Sequence, residues 1–200
     1  MNQPPVPGTE GYSAEAPDLL QRYERMAFEE AHRDVFDLIP PSPIDVLDIG
    51  AGTGRDAAWF AARGDRAAAI EPTREMRDGA MALHPAPNIR WIDDSLPSPA
   101  SVRGEQFDLV WMSAVWMHFD AAQRERMMPT VAALVRAGGA MMISLRHGPI
   151  PEGRRMFDVS PDETTKLAQS SGFEIVSAAC FDSPYAPGVT WDRLWFRKAI

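Results

Sequence analysis

The chain alternates between short apolar stretches and longer stretches in which apolar residues recur at helical spacing. The short stretches are rich in branched and small apolar residues, as is typical of strands buried on both faces of a parallel sheet. The pattern predicts strands at residues 44–49, 66–70, 89–92, 107–113, 140–145, 173–181 and 189–197. It predicts helices at residues 16–38, 55–63, 73–83, 120–136 and 161–171.

This alternation predicts an α/β fold, a three-layer sandwich in which a mostly parallel sheet carries helices on both faces. The last two strands follow one another without a helix, so they are expected to form an antiparallel hairpin at the sheet edge. Residues 1–15 are rich in Pro, Gly and small polar side chains and are expected to form a flexible tail. Residues 16–200 show no internal repeat and are interpreted as a single domain.

Three local signals mark the ends of the predicted helices. Asp120 and Gln123 have the spacing of a capping box at a helix start. Ser160 and Glu163 have the same spacing, with a proline at the first helical position. Gly138–Gly139 are expected to end the helix that precedes the fifth strand.

Composition and charge narrow the class of partner. The formal net charge of -8 argues against a nucleic-acid substrate, because nucleic-acid binding usually needs a basic face that neutralises phosphates. No apolar run approaches the roughly 20 residues that span a bilayer, and the first residues lack the pattern of a secretory signal. The single cysteine, Cys180, fits a reducing compartment. We therefore expect a cytoplasmic protein, monomeric or homodimeric, that acts on a small molecule and not at a membrane.

The most informative segment is the turn Asp48-Ile-Gly-Ala-Gly-Thr-Gly54, between the first predicted strand and the next helix. Its glycines let the backbone pass close beneath a ligand, and the N–H groups of the helix start point to the same place. Glu71, at the end of the second strand, is placed to accept hydrogen bonds from ribose hydroxyls. The dinucleotide pattern G-x-G-x-x-G fails, because Arg55 stands where its third glycine would be. An anionic Asp48 suits a cationic amino-acid end better than a pyrophosphate, which favours S-adenosylmethionine.

The chain resembles the class I S-adenosylmethionine-dependent methyltransferases that act on small molecules. The resemblance covers residues 15–200 and rests on blocks at Val46–Gly54, Ile70–Glu71, Trp91–Pro97, Phe107–Val110 leading to His118, and Arg136–Gly139. It implies a Rossmann-like sheet of seven strands in the order 3-2-1-4-5-7-6, with the last strand antiparallel. It also implies S-adenosylmethionine as cofactor and S-adenosylhomocysteine as product.

The resemblance further implies a set of cofactor contacts. The implied contacts are Tyr23, Asp48, Gly50, Ala51, Gly52, Glu71, Pro72, Asp93, Asp94 and Ser113. Within this set, Asp48 and Gly50 would hold the amino end of the methionine moiety. Glu71 would bind the ribose hydroxyls, and Asp93 or Asp94 would hydrogen-bond the adenine edge.

Residues past the fourth and fifth strands are candidates for catalysis and acceptor binding, because ligands bind at the carboxyl ends of such strands. His118 could accept a proton from a hydroxyl or amine, or could be a hydrogen-bonded histidine that caps the next helix. Trp116 is a candidate for the pocket wall, where an aromatic face would attract a sulfonium. Arg146 could hold a carboxylate of the acceptor or form a surface ion pair, and His147 lies on the same rim.

Other polar residues are interpreted as structural or surface groups. His32 and His84 are placed on helix surfaces, and Asp108 is interpreted as a structural residue. Residues 147–159 are long for a connection, so they are either a loop that covers the substrate or a floppy surface loop. No His, Cys or carboxylate groups have a convincing metal-site spacing.

The favoured function is in-line transfer of a methyl group from S-adenosylmethionine to an oxygen, nitrogen or carbon of a small molecule. Three alternatives remain from the sequence. They are a methyltransferase that acts on RNA or protein, a non-catalytic regulatory module that binds the cofactor, and an NAD-dependent oxidoreductase.

Overall fold

The computed structural model describes residues 6–200, which form a single seven-stranded sheet. The strands are β1 (Asp45–Ile49), β2 (Arg66–Ile70), β3 (Ile89–Ile92), β4 (Phe107–Met112), β5 (Val135–His147), β6 (Phe173–Asp182) and β7 (Thr190–Lys198). Their order is β3-β2-β1-β4-β5-β7-β6. The first five strands pair in parallel, and β7 runs antiparallel to both β5 and β6. The predicted Rossmann-like α/β sandwich is confirmed.

Helices cover both faces of this sheet. They are α1 (Tyr12–Tyr23), α2 (Phe28–Ala31), α3 (Arg55–Ala62), α4 (Arg74–Leu83), α5 (Ala121–Leu134) and α6 (Pro161–Ser170). One sheet face packs against α5 and α6, where Met127 and Val110 belong to the same buried hydrophobic cluster. The other face packs against α2 and α3, where Phe28 and Phe60 meet Trp111. No described helix is both long and apolar enough to cross a membrane.

The N-terminal region differs from the prediction in two ways. Helix α1 begins at Tyr12, four residues before the helix start predicted at residue 16, and residues 1–5 of the predicted tail lie outside the described residues. The helix predicted over 16–38 is interrupted between α1 and α2. Leu19 packs against α4, whereas Phe28 packs in the core beside α3. These two residues are nine positions apart, so on one straight helix their side chains would point in directions about 180° apart. The break between α1 and α2 therefore lets both side chains be buried.

The start of β5 also differs from the prediction. The strand begins at Val135, directly after α5, and Gly138–Gly139 lie inside the strand and do not end the helix. Val135 pairs with Phe107 of β4, and Arg136 donates a hydrogen bond to Asp108. These contacts with β4 end the helix earlier than the local glycine signal suggested. They also confirm the structural role expected for Asp108.

Both predicted helix starts are confirmed. The Asp120 carboxylate accepts from the Gln123 N–H, and the Gln123 side chain accepts from the Asp120 N–H. Ser160 accepts from the Glu163 N–H in the same way. The carboxylate of Glu163, however, accepts from Arg124 of α5 and so joins the two helices.

Candidate functional site

A cleft of about 1510 Å³ opens where the parallel strands β1, β2, β4 and β5 end. Its walls come from α1, the segment after α2, the loop after β5 and the β6–β7 hairpin. The predicted site residues that line it are Tyr23, Asp48, Gly50, Ala51, Gly52, Glu71, Pro72, Ser113, His118 and Arg146. The predicted site residues that do not line it are Asp93, Asp94, Trp116 and His147.

The glycine turn lies at the centre of the cleft floor. Gly50 and Gly52 have φ values of 70° and 58°, in the left-handed region that favours glycine. The N–H groups of Gly50 and Ala51 donate to the Ile70 carbonyl at 2.8 and 2.9 Å, which fixes the turn against β2. A Cβ on Gly50 would lie 2.6 Å from the Val115 Cγ2, so a larger residue does not fit there. The turn therefore brings bare backbone to the cleft, as predicted.

Asp48 is a buried carboxylate with an unused acceptor. The residue is 2 % exposed, and its Oδ2 has no hydrogen-bond partner among the described residues. Burial, together with the nearby carboxylate of Asp56, raises the pKa of Asp48 well above its usual range. Ionised Asp48 is therefore costly until a cation contacts it. The ammonium group of a bound amino-acid moiety would supply such a cation, so the position of Asp48 is compatible with the predicted contact.

Glu71 is buried at the end of β2, beside the turn. Its carboxylate accepts from the Gly52 N–H at 2.9 Å and from the Thr73 N–H at 2.8 Å. Burial raises the pKa of Glu71. A carboxylate has about four acceptor positions, so two remain for the hydroxyls of a ribose. The position and chemistry of Glu71 fit the predicted ribose contact.

The acidic pair expected at the adenine does not face the cleft, and this expectation is corrected. Asp93 is exposed and forms an ion pair with Arg77 of α4 at 2.9 Å. Asp94 accepts from the N–H groups of Ser95 and Ser101 at 2.8 and 2.7 Å, which fixes the loop after β3. Nearby cationic and amide donors therefore hold both carboxylates. Ser95, the next residue, lines the cleft in their place.

A buried polar network under the cleft was missed by the sequence analysis. Asp56, in the first turn of α3, accepts from His32 at 2.8 Å, Arg55 at 2.8 Å and Trp111 at 2.9 Å. Burial alone would raise the pKa of Asp56, but the charges of its donors hold it far below its usual range. His32 is thus not the surface residue expected. Its place four residues after buried Phe28, on the same helical face, was the available signal.

His118 faces the cleft from the turn after β4. Its Nδ1–H donates to the Arg155 carbonyl at 2.7 Å, which leaves Nε2 as an acceptor. Nε2 accepts from the Tyr12 hydroxyl at 3.2 Å. Burial lowers the pKa of His118, so the ring is neutral near pH 7, and Nε2 can take a proton once the Tyr12 hydroxyl gives up its hydrogen bond. Tyr12 stands within the predicted tail, and no local pattern pointed to it.

The loop after β5 closes over this end of the cleft. Arg154 forms a bidentate ion pair with Glu15 of α1, with N–O distances of 2.9 and 3.0 Å. Its guanidinium carbon lies 4.2 Å from the centre of the Tyr12 ring. Arg154 and Met156 both line the cleft. Of the two interpretations given for residues 147–159, these contacts favour a loop that covers the site.

Three residues predicted to line the pocket or bind the acceptor lie in different places in the structure. Trp116 is fully buried in the core beside α5 and does not form the pocket wall. His147 lies at the end of β5 and pairs with Asp192 at 2.7 Å, away from the cleft lining. Arg146 lines the cleft, and its Nη1 donates to the Pro149 carbonyl at 2.8 Å. Adjacent residues on a strand point to opposite faces of the sheet, so Arg146 and His147 do not face the same side. Only the pairing of the strands in the structure shows which of the two faces the cleft.

Residues 46–139 match the family model described as a methyltransferase domain. No curated protein sequence matches the chain significantly.

Solved structures share the fold at low sequence identity. An S-adenosylmethionine-dependent methyltransferase from Mesorhizobium loti is 16% identical, with a TM-score of 0.70 over 83% of this chain and 96% of that one. The 1,6-didemethyltoxoflavin-N1-methyltransferase from Burkholderia thailandensis, with 1,6-didemethyltoxoflavin and S-adenosylhomocysteine bound, is 20% identical. Its TM-score is 0.66, with 100% of this chain and 94% of that chain covered. The [4+2]-cyclase SpnF is 15% identical, with a TM-score of 0.71 and 98% of both chains covered.

Residues 46–139 thus resemble a methyltransferase domain, and they lie in a seven-stranded sheet with the strand order of the Rossmann-like methyltransferase fold.

Proposed function

We propose that the chain transfers the methyl group of S-adenosylmethionine to a small-molecule acceptor. The observation that carries the proposal is the buried, unpartnered Oδ2 of Asp48 beside the glycine turn. Glu71 adds a second buried carboxylate at the end of the neighbouring strand. These two carboxylates can pair with an ammonium group and accept from ribose hydroxyls, whereas the pyrophosphate of a dinucleotide offers them neither a cation nor a donor.

In this function the chain mainly positions two partners. When bound, S-adenosylmethionine supplies a methyl group that the positive sulfur already activates for in-line displacement. Asp48 and the glycine turn hold the amino-acid end, and Glu71 holds the ribose. His118 and Arg146 line the side of the cleft past β4 and β5, where the acceptor would lie. Orientation of two reactants can account for roughly 7–11 kcal/mol of the barrier.

Binding and labelling experiments on the full chain test this proposal. Calorimetry should show binding of S-adenosylmethionine and S-adenosylhomocysteine and none of NAD. After incubation with methyl-labelled S-adenosylmethionine and cell extract, the label should appear in the small-molecule fraction. Label found only in RNA or protein would contradict the small-molecule acceptor, and binding of NAD alone would contradict the cofactor.

A second candidate is a role that uses the cofactor fold without methyl transfer. The [4+2]-cyclase SpnF has a similar fold over 98% of this chain, and a fold by itself does not determine the reaction. This candidate predicts binding of S-adenosylhomocysteine with no labelled product in any fraction. The labelling experiment therefore separates it from the main proposal.

His118 is proposed as the base for an acceptor that enters the cleft protonated. His118→Ala should then lower turnover about 10²–10⁴-fold. Because burial lowers the pKa of His118, wild-type turnover should rise with pH through a value below the usual pKa of histidine and then level off. Turnover against pH, at saturating cofactor, measures both effects.

His84→Ala provides the matched control for this variant, since His84 stands outside the cleft lining. It should keep the wild-type pH profile. If His118→Ala also keeps the wild-type rate and profile, His118 is not the base, and positioning alone carries the reaction.

A further inference from the structure

One part of the cleft is here named the hairpin chamber. It lies between the β6–β7 hairpin and the segment after α2, and is lined by Arg33, Asp34, Ser144, Arg146, Phe181 and Arg193. Ser144 and Arg146 lie on β5, and Arg193 pairs across from Ser144 on β7. The chamber is therefore built largely from residues outside the segment that matches the family model.

Arg193 is the main polar group of this chamber, and it is buried, with 4% of its surface exposed. Asp34 accepts from its Nη1, while its Nε has no partner among the described residues. Its guanidinium lies 5.0 Å from the centre of the Phe181 ring. The edge of the Arg193 guanidinium that carries Nε and Nη2 can bind a planar carboxylate through two parallel hydrogen bonds. A buried donor without an acceptor is costly, so an incoming acceptor stabilises it.

Arg146 adds a second guanidinium on the same face of the sheet. It stands two residues past Ser144, which makes it a diagonal neighbour of Arg193, within reach of a long side chain. Its hydrogen bond goes to a backbone carbonyl, and no carboxylate of the described chain lies within ion-pair distance. Within the described chain, Arg146 therefore does not form the surface ion pair that the sequence also allowed, and its charge is free for a ligand.

Among the described acidic residues around the chamber, Asp34 alone forms an ion pair with one of these guanidinium groups, and it offsets part of the charge of Arg193. Asp34 is engaged with Arg193, and Glu30 accepts from the Tyr185 hydroxyl at 2.6 Å. Asp182 is exposed at the rim of the hairpin. Arg33, on the opposite wall, adds a third guanidinium. An anionic group that enters the chamber thus meets cationic side chains from two walls.

We propose that the hairpin chamber binds the methyl acceptor through a carboxylate, held by Arg193 and Arg146. The role of this ligand as acceptor rests on the proposed methyl transfer, whereas carboxylate binding itself does not. Phe181 and Trp191 give the chamber aromatic walls, which suit the apolar body of a small organic acid. The acceptor class is therefore a small carboxylic acid.

Benzoate and its neutral analogue benzamide are suitable probes, because they share shape and differ in charge. NMR titration of the full chain, saturated with S-adenosylhomocysteine, should show benzoate binding at least about tenfold more tightly than benzamide. Arg193→Gln and Arg146→Gln should each weaken benzoate binding about tenfold and leave benzamide unchanged. Asp34→Asn should strengthen benzoate binding, since it removes the competing carboxylate from Arg193.

Arg197→Gln is the matched control, because Arg197 is exposed at the other end of β7. It should leave benzoate binding unchanged. Equal affinity for benzoate and benzamide, in a chain that binds S-adenosylhomocysteine, would overturn the carboxylate site and leave the proposed function standing. Failure to bind S-adenosylhomocysteine would instead count against the proposed function. If Arg193→Gln does not fold, Arg146→Gln and Asp34→Asn decide, since neither of these residues is fully buried.

Discussion

Asp48→Asn is expected to lower the affinity for S-adenosylhomocysteine about 30-fold or more, and at the same time to stabilise the unliganded chain. Removing one partner of a buried charge pair costs about 2–5 kcal/mol of binding free energy. In the unliganded chain the same carboxylate is buried without a counter-charge on Oδ2, close to Asp56. Its removal relieves that cost. A gain of about 1 kcal/mol would raise the melting temperature by about 2–4 °C in a chain of this size.

The pH dependence of this stabilisation has a definite sign. The pKa of Asp48 is higher in the folded chain than in the unfolded one, so the folded state binds the proton more tightly. Wild-type stability from this group is therefore present at low pH and is lost as pH rises through the raised pKa. The advantage of Asp48→Asn should be smallest in acid and should grow with pH. Thermal unfolding across pH, paired with calorimetry, measures both effects.

Asp45→Asn is the matched control on the same strand. Hydrogen bonding to Arg66, with that to Arg136, lowers the pKa of Asp45, so its carboxylate is already matched with cations. This variant should neither stabilise the chain nor change cofactor affinity. If Asp48→Asn binds S-adenosylhomocysteine like the wild type, the assignment of Asp48 to the amino end is wrong.

Asp56→Ala is expected to destabilise the chain by about 3–5 kcal/mol, because it leaves buried charged and polar donors without their acceptor. The donors are the side chains of His32, Arg55 and Trp111, from three different elements. Urea unfolding, followed by tryptophan fluorescence, gives the change in free energy. Asp78→Ala removes a carboxylate from an exposed pair with Arg74 and should cost no more than about 1 kcal/mol. If Asp56→Ala lowers the free energy of unfolding by less than about 1 kcal/mol, the network does not hold these elements together.

Features that depend on neighbouring residues were predicted well. The capping box at Asp120, the glycine turn and the alternation of strands with helices each follow from a few consecutive side chains and from backbone sterics. The position of Glu71 followed as well, because the end of a parallel strand next to the turn has little freedom in space. The resemblance added the sheet order, which short-range patterns alone do not fix.

Features that depend on distant partners were missed or misplaced. Tyr12 meets His118 across 106 residues of sequence, and Arg193 meets Asp34 across 159. Asp93 was predicted to contact a ligand in the cleft, whereas the structure shows it paired with Arg77 of α4. In each case, the competing partner lies on another element, and the sequence holds no local trace of it.

The sequence by itself determined the strand–helix alternation, the glycine turn and the two carboxylates at its side, since steric limits and hydrophobic periodicity act over a few residues. Only the tertiary structure decided which polar side chains enter the cleft. That choice depends on the face of the sheet to which each strand residue points. It also depends on which distant charged group pairs with each carboxylate or guanidinium. Burial makes an unmatched charge expensive, so these long-range pairings settle the site's electrostatics.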